Sequence, residues 1–152
     1  MTIPSTTERV HLNTAPKWNQ KIEERTRRSI AYYSAHPEEI ASRLEQLDHE
    51  WDIERTLEAN AATVSVVSVL LGMLVNRKWL FLPAIVGGFL LNHAVKGWCP
   101  PLPVFRRRGI RTQIEIDRER YALKALRGDF NRFPEGRNVT DRDAQRILQT
   151  VK

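Results

Sequence analysis

Two long runs without Asp, Glu, Lys or Arg constrain the fold of this 152-residue chain more than any other feature. They extend from Ala59 to Asn76 and from Trp79 to Val95, and only Arg77 and Lys78 separate them. As α-helices, runs of this size would measure roughly 26 Å, and roughly 17–25 residues suffice to cross a bilayer core. Both runs are apolar around the whole helical circumference. They therefore predict two membrane-spanning helices, with a buried helix pair inside a soluble bundle as the alternative.

The two runs are predicted to pair as a helical hairpin. The connection from Asn76 to Lys78 is short, and helices joined by so few residues lie antiparallel beside one another. Each run also carries small residues at helical spacing, which let helices approach closely where lipid supplies no hydrophobic drive. We expect these residues to pack helices within the hairpin or against a second copy or another membrane protein. The candidate packing residues are Ser65, Ser68, Gly72, Ala84, Gly87 and Gly88.

The distribution of positive charge orients the predicted hairpin. Lys and Arg are enriched in cytoplasmic loops, and the flanks 39–58 and 96–115 carry seven of them against two in the connection. Both termini are therefore predicted to be cytoplasmic. The formal net charge of +6 and the pI near 9.9 are also typical of nucleic-acid binding. No zinc-finger, RNP or helix-turn-helix pattern accompanies the charge, so no nucleic-acid partner is expected.

Amphipathic helices are predicted before the hairpin. Apolar residues recur at helical spacing from Ile40 to Trp51, and no Gly or Pro occurs between Glu38 and Leu71. This pattern predicts one helix that runs from about Pro37 straight into the first span. An earlier helix, from about Lys17 to Tyr33, is basic on one face. It is predicted either to lie on the membrane surface or to pack on the other cytoplasmic helices.

A further helix is predicted after the hairpin, over about 113–127. Thr112 and Glu115 have the spacing of a capping box, and Gly128 is a natural helix stop. The predicted fold is therefore all-α, with a two-helix transmembrane hairpin and amphipathic cytoplasmic helices on both sides. The chain is divided into a basic amphipathic N-terminal segment (1–36), a helical membrane hairpin domain (37–128) and a flexible C-terminal tail (129–152). The tail is predicted to contain a short helix capped near Thr140 or Asp141.

Two rows of charge flank the predicted spans. Acidic residues recur at helical spacing before the first span and basic residues after the second. We expect the two rows either to face each other at the cytoplasmic base of the hairpin or to be separate solvated faces. The candidate interhelix charge pairs involve Glu50, Glu54, Glu58, Arg120, Lys124 and Arg127.

Cys99 is the only cysteine and the one candidate reactive group. It follows the second span, where a thiol can carry a persulfide, bind haem or be oxidised. Pro100, Pro101 and Pro103 argue against a persulfide cradle, because proline has no N–H to donate. The alternative is a packed thiol in a rigid turn. No catalytic residues, cofactor site or metal site are predicted.

The end of the second span also carries Asn92 and His93. A polar residue at membrane depth is often functional, whereas one near the interface is often only hydrated. The sequence leaves both interpretations of this pair open.

The region around residues 35–130 resembles a known family. Its most specific strings are Gly97-Trp98-Cys99-Pro100, Phe105-Arg106-Arg107 and Gly109-Ile110-Arg111-Thr112, which resemble the YgaP-like transmembrane domain family. This is a bacterial family of membrane hairpins of unknown function, some of which are fused to a rhodanese sulfurtransferase domain. The resemblance implies an inner-membrane location. The present chain has neither a βαβ pattern nor a second cysteine, so the sulfurtransferase activity does not carry over.

The sequence thus predicts a non-enzymatic bacterial inner-membrane protein that acts as an anchor, a scaffold or an oligomerising hairpin. Its expected partners are the lipid bilayer and either a second copy or another membrane protein. Two alternatives remain. One is a redox or sulfur-relay protein that uses Cys99 at the membrane interface, and the other is a soluble basic helical protein that binds nucleic acid.

Overall fold

Every regular element in the described part of the chain is helical. A computed structural model describes residues 4–132 and 141–151, and the prediction of an all-α protein is confirmed for them. Short 3₁₀ segments occupy Pro37–Glu39, Arg77–Leu80 and Asp129–Arg132. The α-helices are α1 (Arg9–Leu12), α2 (Pro16–Ala35), α3 (Ile40–His49), α4 (Ile53–Leu74), α5 (Phe81–Lys96), α6 (Leu102–Arg107), α7 (Gln113–Arg127) and α8 (Asp141–Val151).

The predicted continuous helix from Pro37 into the first span is wrong, because the chain breaks between α3 and α4. Glu50 and Asp52 have extended backbone, with ψ of 127° and 173°. The Asp52 carboxylate accepts a hydrogen bond from the Arg55 N–H over 2.8 Å, which caps the new helix. The Ile53 N–H donates to the Arg111 carbonyl over 2.8 Å. A capping aspartate and a tertiary backbone bond therefore end one helix and begin the next without Gly or Pro.

Two helical stretches, Pro37–Leu74 and Arg77–Lys96, contain windows long and apolar enough to cross a membrane. In the first stretch the continuous membrane-length helix is α4, and the second consists of a 3₁₀ turn followed by α5. The two helices contact each other. Gly72 lies against Leu80, so that a Cβ at this position would be 2.5 Å from the Leu80 Cδ2. The absence of a side chain at Gly72 thus permits close packing next to the connection.

The chain divides into two compact units, each built from separated stretches. One contains Met1–Glu23 and Trp51–Ile114, and the other contains Glu24–Glu50 and Glu115–Lys152. The units interleave along the sequence, whereas the predicted division has consecutive segments with boundaries after residues 36 and 128.

The first unit has a small core beside the ends of α4 and α5. Its buried apolar residues are Val10, Ile53, Leu57, Cys99 and Leu102. Arg106 is also buried, because its guanidinium group has several acceptors. Arg106 donates to the Thr14 hydroxyl over 3.1 Å, to the Asn19 amide oxygen over 2.9 Å and to the Ile110 carbonyl over 3.0 Å. These hydrogen bonds fix the start of α2 and the turn before it to α6.

The second unit has its own apolar core, formed by Ile40, Leu44, Leu47, Ile116 and Leu123. At its edge, the buried Glu119 carboxylate accepts hydrogen bonds from Arg43 and Ser29.

Helix α7 runs from Gln113 to Arg127, as the sequence predicts, and α8 provides the predicted short C-terminal helix. The predicted cap for α8 lies outside the residues and side chains that the structure describes.

Candidate functional site

A buried histidine in α5 and a carboxylate in α4 join these two helices within the first unit. His93 lies in the last turn of α5, and its side chain is only 4% exposed. Its Nε2 lies 2.8 Å from the Glu54 Oε2 in the first turn of α4. An ionised carboxylate can only accept hydrogen bonds, so the Nε2–H donates to it. Glu54 therefore sets the orientation of the imidazole ring.

Arg9 supports this pair from the N-terminal helix α1. Its guanidinium group donates to the Glu54 Oε1 over 2.9 Å and to the Ala94 carbonyl over 2.8 Å. Glu54 precedes the predicted first span. The hydrogen bond from His93 and the charge of that ring, followed by the positive charge of Arg9, hold the pKa of Glu54 below its usual value of 4.5. Glu54 is thus stabilised as a carboxylate that joins three helices.

The Cys99 thiol lies beside the His93 ring. The two side chains are close enough to interact with each other. Cys99 is only 2% exposed. It is positioned by the turn after α5, in which Gly97 has a φ of +78° and the Asn92 amide donates to the Trp98 carbonyl over 2.7 Å. The turn therefore brings the thiol back toward the last turn of α5.

An apolar cavity of about 310 Å³ lies next to the thiol. Side chains of α4 and α5, together with the turn before α6 and Phe105, form its walls. Cys99 and the amide of Asn60 are the chemically functional groups among the lining residues, and the rest are apolar. This volume is at the lower end of the roughly 300–1,000 Å³ found for small-molecule pockets. The site thus combines a thiol, an imidazole and a carboxylate with an apolar chamber.

The Cys99 thiol lies beside an imidazole whose Nε2 is held by a carboxylate, which is the order of groups found in Cys–His sites. The thiol is therefore a candidate nucleophile for an electrophile that enters the adjacent cavity.

The candidate thiol was identified from the sequence, but its two partners were not. His93 is buried and paired, so it is not the hydrated interface residue that one interpretation expected. Glu54 was assigned only to the acidic row. Residues 54, 93 and 99 have no motif spacing, and Arg9 lies far away in the sequence. The local signals for these partners were a histidine at the end of the second apolar run and an acidic helix start, capped by an aspartate, before the first run.

Four residues of the predicted charge rows have described partners outside the opposite row. Glu54 is bound by Arg9 and His93. Arg120 is paired with Asp48 and Asp117. Lys124 donates to the Thr150 carbonyl over 2.9 Å, and Arg127 is paired with Asp129. The described ion pairs of these basic residues therefore use carboxylates outside the predicted acidic row, and Glu58 is exposed.

The small residues of the two apolar helices differ in their surroundings. Ser68 and Gly72 on α4 are buried, and Ser65 is partly buried. Ala84, Gly87 and Gly88 on α5 are exposed, and nothing lies within 4 Å of a Cβ built on either glycine. Within the described residues, no group of three or more His, Cys, Asp or Glu side chains could hold a metal ion.

No protein-family model matches this chain, and neither a curated protein nor a solved structure matches it significantly.

Proposed function

We propose that this protein is a bacterial inner-membrane hairpin that acts as a non-enzymatic anchor or scaffold. One observation carries the proposal, namely the exposed apolar surface of α4 and α5. Only 17% and 6% of the two membrane-length windows are buried, whereas the core helix of a soluble bundle would be mostly covered. Leu74, Phe81 and Leu91 are 82%, 71% and 66% exposed. A contiguous apolar surface of this kind requires lipid or another apolar cover.

The proposed orientation places both termini in the cytoplasm. Its support is the excess of Lys and Arg in the two flanks over the Arg77–Lys78 connection. The bacterial inner membrane is supported by the resemblance to YgaP-like hairpins. The exposed small residues Ala84, Gly87 and Gly88 offer a face on which a second copy can approach closely.

Membrane insertion is tested by fractionating cells that express the untagged chain and washing the membranes with alkaline carbonate. We expect the protein to remain in the washed membrane. Recovery in the soluble fraction would contradict the proposal. If that soluble protein also bound DNA or RNA with a strong salt dependence, the nucleic-acid-binding alternative would replace it.

Orientation is tested with single-cysteine reporters in the Cys99→Ser background. A membrane-impermeant maleimide applied to spheroplasts should label Lys78→Cys in the connection. It should label Lys17→Cys only after the cells are lysed. The reverse pattern would show that the hairpin is inserted with the opposite orientation.

Self-association is tested by oxidative crosslinking in the same Cys99→Ser background. Gly88→Cys is expected to form a disulfide-linked dimer in membranes. Ala94→Cys, which is exposed and lies about 120° from Gly88 around α5, is the matched control. Equal crosslinking at the two positions would argue against a specific dimer contact.

A thiol relay at Cys99 is the second candidate function, and the adjacent His93 favours it. A relay requires a thiol that reacts with small reagents in the folded protein. Alkylation of wild-type protein should then be faster than that of His93→Gln. Equal rates in these two folded proteins would end this candidate.

A further inference from the structure

We propose that a groove along α5 binds one anionic phospholipid at the cytoplasmic end of the hairpin. The inference rests on the proposed membrane location and orientation, and it names the class of lipid that the groove would select from the bilayer. The groove has a volume of about 580 Å³ and is lined by residues of α5, by Trp98 in the turn after it and by Asn13. All of these lining residues belong to the first compact unit.

The first observation is that the groove changes from apolar to polar along α5. Ile85, Gly88 and Phe89 line one end, and Asn92 and Lys96 line the other. These positions recur every three or four residues, so they share one face of the helix, and the helix rises roughly 16 Å between the first and the last of them. Ile85 and Phe89 are 53% and 41% exposed, so the apolar end is continuous with the surface that lipid would cover. A phospholipid has the same order of parts, with acyl chains followed by a charged headgroup.

The second observation is the charge of the polar end. Lys96 is exposed and is the only charged residue among those that line the groove. The Trp98 indole offers one N–H donor, and the Asn92 amide has a second N–H besides the one that it donates to the Trp98 carbonyl over 2.7 Å. A phosphate group accepts from all of these donors. Because no carboxylate lines the groove, the ammonium group of a zwitterionic headgroup would have no counter-charge, and a headgroup with net negative charge is favoured.

The third observation explains why an anion can bind near the carboxyl end of a helix. That end carries partial negative charge on its last carbonyl groups, which would repel a phosphate. The Ala94 carbonyl accepts a hydrogen bond from the Arg9 guanidinium over 2.8 Å. The Lys96 carbonyl accepts one from the Asn13 amide over 2.7 Å. Donors from α1 and its C-terminal cap therefore offset the negative end of α5, and the Lys96 ammonium can bind the headgroup.

Asn13 also favours a headgroup that carries hydroxyl groups. Both N–H groups of its amide are used, because it donates to the Arg9 and Lys96 carbonyls, each over 2.7 Å. The remaining polar atom of this side chain is Oδ1, which can only accept a hydrogen bond, and a headgroup hydroxyl can donate one. Phosphatidylglycerol combines such hydroxyls with an anionic phosphate diester. It is therefore the lipid whose headgroup chemistry the lining residues match.

The test is native mass spectrometry of the purified full-length chain in detergent micelles, titrated with phosphatidylglycerol or with phosphatidylethanolamine of the same acyl chains. The masses of one and two copies are resolved, so lipid is counted on single copies even though Gly88 also lies on the face proposed for self-association. A lysine near the headgroups strengthens the binding of an anionic lipid about fivefold. We therefore expect the first phosphatidylglycerol to bind about fivefold more tightly than the first phosphatidylethanolamine. Inorganic phosphate should not displace it, because free phosphate makes no contact with the apolar end.

A pair of charge variants tests the role of Lys96. Lys96→Gln removes the ammonium group and keeps the backbone carbonyl that Asn13 binds. It should reduce the preference for phosphatidylglycerol to about twofold or less. Arg108→Gln is the matched control, because Arg108 is an exposed cation of the same flank that does not line the groove. This variant should retain the wild-type preference.

A pair of adjacent glycines tests the apolar end. Gly88 lines the groove, whereas Gly87 is exposed and does not line it. Nothing lies within 4 Å of a Cβ at either position, and leucine is a better helix former than glycine, so both leucine variants should fold. Gly88→Leu should weaken the binding of both lipids about fivefold or more by filling the groove, and Gly87→Leu should leave both affinities unchanged. Circular dichroism and the melting temperature establish that each variant is folded.

Four results would overturn the proposal. They are equal affinities for the two lipids, equal effects of Lys96→Gln and Arg108→Gln, equal effects of Gly88→Leu and Gly87→Leu, and displacement of the lipid by inorganic phosphate. Because binding is measured in micelles, these results are independent of the carbonate wash. A chain that remains in washed membranes but binds the two lipids equally would refute only this inference.

Discussion

The Nε2 of His93 lies 2.8 Å from the Oε2 of Glu54, and this hydrogen bond joins the last turn of α5 to the first turn of α4. The two residues are 39 positions apart in the sequence. The bond directs the imidazole toward Cys99 and closes the end of the two apolar helices. This contact therefore joins the two apolar helices and fixes the imidazole that lies beside Cys99.

The pH dependence of stability should reflect Glu54. Its pKa is lowered in the folded chain, so its contribution is complete above the unfolded value and is lost as the pH falls. We expect the melting temperature of the wild type to fall between about pH 6 and about pH 3. Glu54→Gln should be less stable at neutral pH and should lose less on acidification. The exposed residue Glu58 gives the control, since Glu58→Gln should follow the wild-type curve. Parallel curves for wild type and Glu54→Gln would contradict this assignment.

Gly97 should be intolerant of a side chain. Its φ is +78°, and a Cβ there would lie 2.3 Å from the Arg9 carbonyl oxygen. Gly97→Ala is expected to destabilise the protein by about 1–3 kcal/mol through backbone strain, with a further cost from displacing α1. The measurement is thermal or denaturant unfolding followed by circular dichroism. Gly87→Ala provides the comparison, because nothing lies within 4 Å of its Cβ. A similar stability for the two variants would refute the predicted clash.

A side chain at position 72 should clash with Leu80, and shortening Leu80 should relieve the clash. A Cβ at this position would lie 2.5 Å from the Leu80 Cδ2 and 3.4 Å from the Leu80 backbone nitrogen. Gly72→Ala is therefore expected to destabilise the contact by about 1–3 kcal/mol. Combining it with Leu80→Ala should recover part of that loss, because the opposing side chain is removed. A double-mutant cycle of unfolding free energies measures this coupling. Strict additivity would indicate that the two residues do not meet.

Replacing Arg43 should lower the free energy of unfolding more than replacing an arginine that is paired only at the surface. Its guanidinium group donates to the Glu119 carboxylate over 2.9 and 3.2 Å, and the Glu119 side chain is only 1% exposed. Removing one partner of a buried ion pair costs about 3–5 kcal/mol, so Arg43→Ala should lower the free energy of unfolding by about 3 kcal/mol. Arg27, which pairs with Glu24 at the surface, is the control, and its loss should cost about 0–1 kcal/mol. Similar values for the two variants would mean that the Arg43 pair is solvated.

Local sequence signals account well for helices whose ends are determined by adjacent residues. Helix α7 has the predicted bounds, because its limits depend on side chains near Thr112 and on Gly128, whose φ is +83°. The break before α4 was missed, because the residue that caps the new helix is Asp52 and its first N–H is bound by Arg111, 58 positions later. No pattern of apolar spacing contains that information.

The site was less predictable than the fold for the same reason. The sequence identified Cys99 as a candidate because it is a lone cysteine after an apolar run. Whether its thiol is reactive depends on which side chain lies beside it. That neighbour, His93, is defined by the left-handed turn at Gly97, and its partner Glu54 comes from the start of another helix. The acidic and basic rows were expected either to face each other or to be solvated. Glu54 instead pairs with His93 and with Arg9, which comes from a polar N-terminal stretch with no distinctive motif.

The first compact unit is built from two separated stretches of the chain, and this has a consequence for biosynthesis. Arg9 binds Glu54 and the carbonyl of Ala94, so α1 leaves the ribosome long before its docking site exists. The ribosome must synthesise α5 before α1 can form these contacts. The amino terminus can therefore complete its tertiary contacts only after α4 and α5 have been synthesised. The first helix to be synthesised is therefore among the last to form its tertiary contacts.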